Sequence, residues 1–429
     1  MQELIYGLHD RPPVKESLFA GFQHLMAILV AIATPPLIIS SALNFDASTT
    51  AFLVSMAFFA SGIATFVQCR RVGPVGTGML CIEGTSFSFI GPIITIGAIG
   101  GLPMIFGCCI VAALVEVVIS RLLKYTPLVS GIVVTLIGLC LLKVGITACG
   151  GGAAAQTDGT FGSLPHLALA GLVIVTILIF QCSGNRFLRM GSIFIGLVVG
   201  FVAACFMGMV NFDSVSSFGG VNIPVPLKYG LKFDISGIIA LGLIFMITAI
   251  EAYGDITANS MISGEPVEGD IFIKRAQAGV LGDGCNSIMS GLLCAFPNSI
   301  FAQNNGMIQL TGVASRYVGY YVAGFLVLLG LFPAVGVAFS LIPTAVLGGA
   351  TLLMFGTVAA AGVRIIASHD IDRKATLVIA LSFAAGLGVE LQPEILSQLP
   401  ETLRNIFASG ITTGGLTAIV TNVVIRLKE

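Results

Sequence analysis

The chain has 429 residues, 56% of them hydrophobic and 10% charged, with a mean hydropathy of +1.01. A soluble domain carries about 25% charged residues, so this chain has too few charges to solvate its own surface, and lipid must be its main solvent. A formal net charge of -1 leaves no basic surplus for nucleic acid.

The polar stretch 1–17 contains Arg11-Pro12-Pro13 and is expected to be a cytoplasmic segment rather than a cleavable signal. A helix needs about 20 apolar residues to cross the bilayer. Spans are predicted at 18–43, 46–67, 77–98, 102–123, 127–145, 165–183, 190–211, 234–258, 270–295, 297–311, 315–341, 343–366, 373–391 and 403–426, about fourteen in all. The third and tenth are too short or too polar for full lipid-facing helices. The third holds Glu83, Gly84, Ser86, Gly91 and Pro92; the tenth holds Pro297, Asn298, Gln303, Asn304 and Gln309. The cysteines lie mostly inside apolar stretches without a CxxC, as small packing residues do, and no metal site is expected.

Fourteen spans with the N-terminus inside place Lys143, Lys228, Lys232 and Arg404 outside and the other sixteen of the twenty Lys and Arg inside. That is the expected positive-inside bias, with both termini cytoplasmic. The halves also echo each other. Pro127 opens a span carrying Gly131, Gly138 and Gly145, and Pro343 opens one carrying Gly349, Gly356 and Gly362. Seven spans per half make the repeats inverted. The two broken spans fall at corresponding places, which points to a binding site near the midplane.

Ionisable groups inside a membrane cost about 2.5–3.5 kcal/mol each on insertion scales, so each needs a reason. Glu251, deep in the eighth span, can load and release a proton or accept N–H groups of a planar ligand. Asp255 lies one turn on, on the same face and nearer the cytoplasm. Asp283, between Gly282 and Gly284, is expected to approach another helix closely and to orient the site rather than touch the ligand. His24 is suited to bridging helices. Glu83 lies in the broken third span, and Glu116 has no evident local partner. In the tenth span, Ala302-Gln303-Asn304-Asn305-Gly306 offers carboxamides, one of which can match an –NH–C=O edge of a purine or pyrimidine dione, and free N–H groups if a half-helix starts there. Ser86 and Phe87 form the mirror element in the third span, with the Phe87 ring available for stacking.

Gln303-Asn304-Asn305-Gly306 followed by Thr311-Gly312 resembles the signature of the nucleobase–ascorbate transporters. Glu251-Ala252-Tyr253-Gly254-Asp255 lies upstream, Gly282-Asp283-Gly284 between, and Gln23-His24 in the first span. The resemblance runs from about residue 9 to 426 and is nearest to bacterial xanthine and uric acid permeases.

It implies an all-α polytopic fold of fourteen segments in two inverted repeats, with short β-like stretches beside the half-helices of segments 3 and 10. A core domain comprises 18–124 and 234–341, and a gate domain comprises 125–233 and 342–429. It further implies elevator-type import of xanthine or uric acid with a proton across the cytoplasmic (inner) membrane, by a homodimer joined through the gate. Glu251 and Gln303 would bind the purine, with the main chain at Phe87 and Ala302; Ser86, Asn304 and His24 would surround it. Glu251, Asp283 and Asp255 would handle the proton. No catalytic residue, metal or cofactor is implied. Ser86 resembles members that accept uric acid, whereas Glu83 departs from the Gln common in relatives. Other readings are a permease for hypoxanthine, guanine or uracil, or an anion transporter of the same inverted-repeat architecture. An embedded enzyme finds no HExxH or GxSxG to support it, and a channel would not need an occluded carboxylate–carboxamide pair.

Overall fold

The computed structural model describes residues 4–121, 127–185, 188–189, 191–210, 224–267, 269–367, 371–400, 403–404, 407 and 409–425. Lys124, Arg186, Arg426 and Lys428 of the positive-inside pattern, and the expected boundary at 124/125, lie outside them.

Helices α1 (Val14–Ala42) and α2 (Ala47–Arg70) open the chain. Asp46 caps α2 by accepting the amides of Ser48 and Thr49. An extended stretch then leads through strand β1 (Glu83–Thr85) and a single 3-10 turn (Phe87–Phe89) into α3 (Ile90–Ile119). Next come α4 (Pro127–Cys149), the short α5 (Gly152–Thr157), α6 (Leu164–Gln181) and α7 (Ser192–Phe206). The second half runs α8 (Ile235–Ile262), α9 (Gly269–Leu292), β2 (Asn298–Ile300), α10 (Ala302–Thr311), α11 (Arg316–Leu331) and α12 (Pro333–Ser340). It ends with α13 (Thr344–Ala367), α14 (Arg373–Leu391) and α15 (Gly410–Val424). Among the described residues, eight helices are long and apolar enough to cross a membrane, and three shorter ones are apolar.

Three elements differ from expectation. The third and fourth spans are one helical run interrupted at Gly101, whose φ of 66° and ψ of -165° are open to glycine and costly for other residues. The expected span 315–341 is two helices, because Pro333 lacks an amide hydrogen and starts α12 at its first position. The helix α9 is not among the eight, since it carries Asp270, Lys274, Arg275 and Asp283; most of its second half is buried against protein instead.

The broken segments meet as an antiparallel two-stranded ribbon, pairing Glu83 with Ile300, Gly84 with Ser299 and Thr85 with Asn298. Elsewhere the packing is helix on helix through small residues. Positions Gly131, Gly138 and Gly145 of α4 face Ile366, Ala359 and Leu352 of α13, an antiparallel register with a seven-residue step on both helices. The sequence echo of glycines is thus partly a contact surface: Gly349 faces α6 and Gly356 faces open space. At the N-terminus, the amides of Ile5 and Tyr6 donate to the Gly312 carbonyl (2.8 and 3.2 Å), and Ala314 N donates to Tyr6 O (2.9 Å). This strap holds residues 5–8 along the end of α10.

Candidate functional site

The ribbon decides where the site lies. Ser86 N donates to Pro297 O and Phe301 N to Ile82 O, both at 2.9 Å. Immediately beyond these bonds, the 3-10 turn starts at Phe87 and α10 at Ala302. Two helix starts, whose first N–H groups have no acceptor within their own helix, are therefore held side by side. Helix α8 crosses behind them. Its Asn259 and Asn304 of α10 both donate to the Leu80 carbonyl (2.8 and 2.5 Å), and Asn305 donates to Asp255 O (3.2 Å). These bonds join α10 to α8 beside Glu251 and Gln303.

Glu251 is partly exposed and accepts from the Ser88 hydroxyl at 3.3 Å. Gln303 and Ala302 are also partly exposed. The ring of Phe87 is nearly buried, edge-on to Phe355 of α13 with centroids 5.3 Å apart. A carboxylate, a carboxamide, an aromatic ring and two helix starts thus share one region, enough to satisfy several edges of a flat polar heterocycle.

The other expected residues stand behind this front. Ser86 is buried, its hydroxyl capping the 3-10 turn at Ser88 N (3.4 Å). Asn304 is fully buried, with its amide committed to Leu80. His24 is fully buried against Asn304. Asp255 is buried one turn from Glu251, with Oδ2 unpaired among the described residues. Asp283 is fully buried, and Ser299 of β2 donates to its Oδ2 at 3.4 Å.

Sequence reasoning missed Ser88 and left Glu83 and Glu116 without partners. Glu83 anchors the ribbon: its carboxylate accepts from Gln68 (2.5 Å) and Asn286 (2.9 Å), and its main chain pairs with the Thr65 hydroxyl. The only sign of Ser88 in the sequence is the polar run Thr85-Ser86-Phe87-Ser88.

Of two cavities, one adjoins this region. One, of about 180 Å3, lies between α3 and α8 on one side and α4, α14 and α15 on the other, lined by Ser88, Gly91, Asp234, Glu390 and Ser409 among others. It is smaller than the ~300–1,000 Å3 usual for ligand pockets and leads to the residue that touches Glu251. The other, of about 380 Å3, sits under the N-terminal strap, lined by Tyr6, Lys15, Glu16 and Thr311, away from Glu251 and Gln303.

The model of a permease family matches residues 15–395. The xanthine permease XanP of Escherichia coli (strain K12) is 49% identical over 98% of this chain and 94% of its own length. The chain belongs to this permease family. Membership also embraces the nucleobase–ascorbate transporters that the motif resembles. The xanthine permease XanQ of the same organism is 44% identical over 99% of the chain and 94% of its own length. The nucleobase transporter PlUacP of Paenibacillus larvae is 34% identical over 94% and 93%. As a permease with several apolar membrane-length helices, the protein is a multi-pass membrane protein.

Solved structures show the same fold at low identity. The transmembrane domain of the cyanobacterial bicarbonate transporter BicA aligns with a TM-score of 0.61 at 15% identity, covering 98% of this chain and all of that one. SLC26A9 aligns at 0.65 and 13%, covering 96% and 66%.

Proposed function

We propose that this permease imports an oxidised purine, xanthine or uric acid, together with a proton. The observation that carries the reading is a partly exposed carboxylate, Glu251, bonded to Ser88 of the 3-10 turn, and a partly exposed carboxamide, Gln303, in the first turn of α10, two helix starts that the ribbon holds together. Relatives named xanthine permeases, 49% and 44% identical, support the substrate class. Glu251 and Gln303 hydrogen-bond the purine, the main chain at Phe87 and Ala302 completes its edges, and Ser86, Asn304 and His24 hold the cradle's shape. Glu251 takes the coupled proton, with Asp283 and Asp255 in support.

In this reading fourteen segments cross the inner membrane and both termini are cytoplasmic. The core, 18–124 with 234–341, slides against the gate, 125–233 with 342–429, and two gates form a homodimer. No metal, cofactor or catalytic chemistry takes part. One charge crossing about 100 mV supplies ~2.3 kcal/mol, a roughly 50-fold gradient. Uptake of labelled xanthine by cells expressing the protein, with hypoxanthine, guanine, uracil, uric acid and bicarbonate as competitors, tests substrate; a proton uncoupler tests coupling. Competition by xanthine and uric acid, with accumulation lost on uncoupling, is expected. Uptake indifferent to both purines would reject the substrate, and uncoupler-resistant accumulation would reject the proton.

The fold shared with a bicarbonate transporter raises an anion reading. The carboxyl of Glu251 and the carboxamide of Gln303 argue against it, since together they match a ligand with N–H and C=O edges, and bicarbonate has no N–H. Bicarbonate competing where purines do not would decide for it.

A further inference from the structure

Behind the cradle, two fully buried carboxyls face each other. Glu116 projects from α3 and Asp283 from α9, and they meet carboxyl to carboxyl. The close approach comes from Gly284: a Cβ there would lie 3.1 Å from Val117 N and 3.3 Å from the Glu116 Cβ. No N–H or O–H group among the described residues donates to either Glu116 oxygen or to Asp283 Oδ1. The charged groups facing the pair are Glu83 from β1 and Glu251 from α8, while Cys285 of α9 faces Glu83 and Glu116. The ion pairs among the described residues, Lys143–Glu390 and Arg275–Glu265, involve neither carboxyl. Nor does any group of three acidic, His or Cys side chains there converge closely enough for a metal ion.

An ionised carboxylate only accepts hydrogen bonds, so two facing carboxyls bond only if one keeps its proton. Glu83 differs, because two side-chain amides satisfy it in the ionised form. We infer that Asp283 and Glu116 share one proton in a closed site behind the cradle, separate from Glu251. With the proton, the pair joins α3 to α9. Without it, the same helices repel each other next to Ser299, on the strand from which α10 starts. The part this proton plays in transport rests on the proton-linked reading above; its presence does not.

The test is the unfolding temperature of the purified, ligand-free protein against pH, together with the infrared band of a neutral carboxylic acid after deuterium exchange. The wild type should lose stability as pH rises into the alkaline range and keep an exchange-resistant band. In Glu116→Gln a side-chain amide donates to Asp283 at every pH, so the alkaline loss should flatten and the band should lose the intensity of one acid, leaving what other buried carboxyls such as Asp255 contribute. Asp283→Asn makes the same change from the other side and serves if Glu116→Gln fails to fold. An alkaline loss and a band in the variants equal to those of the wild type overturn the shared proton. Xanthine binding measured on the same samples keeps the two ideas apart: a band that Glu116→Gln diminishes, without xanthine binding, rejects the substrate alone, and binding with a band that neither variant diminishes rejects the proton pair alone.

Discussion

Among the described residues Glu251 accepts one side-chain donor, Ser88, and it is partly exposed. Its carboxylate is therefore available both to a proton and to a ligand N–H. Glu251→Gln keeps the shape and removes the titration, so pH-driven accumulation should vanish while exchange of purine across the membrane is retained in part. Full accumulation by that variant in an uptake assay would remove Glu251 from the coupling. Ser88→Ala removes a hydrogen bond of about 1 kcal/mol, so affinity should fall about fivefold; an unchanged binding isotherm would mean that Ser88 does not orient the carboxylate. Outside the membrane spans, Asp46 caps α2, and bonds from Ser48 and then Thr49 hold its carboxyl down to about 2. A lowered carboxyl stabilises the fold above its ordinary range, and that contribution is lost as pH falls toward 2. Asp46→Ala should cost about 1 kcal/mol at neutral pH, read as a lower unfolding temperature, and the difference from wild type should close in acid.

At the scale of elements, the α4–α13 contact depends on absent side chains. A Cβ at Gly138 would collide with the backbone of Ala359, so Gly138→Leu must push the helices apart. Overpacking of this kind costs about 1–3 kcal/mol. The expected result is a lower unfolding temperature and less folded protein in the membrane fraction; a wild-type melting curve would show that the two helices do not need this approach. The sequence carried the glycine spacing but not its partner, because which helix abuts α4 depends on the whole arrangement. The same distinction runs through the site. The polar tenth segment was legible as a break, since Asn298, Gln303 and Asn304 cannot face lipid. The positions of Glu251 and Gln303 were legible for that reason too. The partners of Glu83 and Glu116 were not, because Asn286 and Asp283 reach them from a helix distant in sequence and Gln68 reaches Glu83 only where the chain folds back after α2, and only Gly284 hinted at a close approach. The break at Pro333 was readable in principle but was overridden by a continuous apolar run.

For the whole molecule, the N-terminal strap ties the first residues to the signature helix. Besides its main-chain bonds, the Ser315 hydroxyl donates to Asp10 O at 2.6 Å, and Arg316 N donates to Leu8 O at 3.2 Å. Each such bond is worth about 0.5–1.5 kcal/mol net. Deleting residues 1–10 should lower the unfolding temperature and slow uptake without changing which purine competes. A changed competition profile would place the strap in substrate selection instead.

The ribbon of Glu83–Thr85 with Asn298–Ile300 has a consequence for how the protein is made. One strand leaves the ribosome more than two hundred residues before its partner. At about 5–20 residues per second, that interval lasts on the order of 10–40 s. Throughout it the first half of the cradle has no strand to pair with, and Glu83 lacks Asn286. The nascent chain therefore spends much of its synthesis with a polar, unpaired edge at the membrane, and the machinery that inserts it must shelter that edge until the second half arrives.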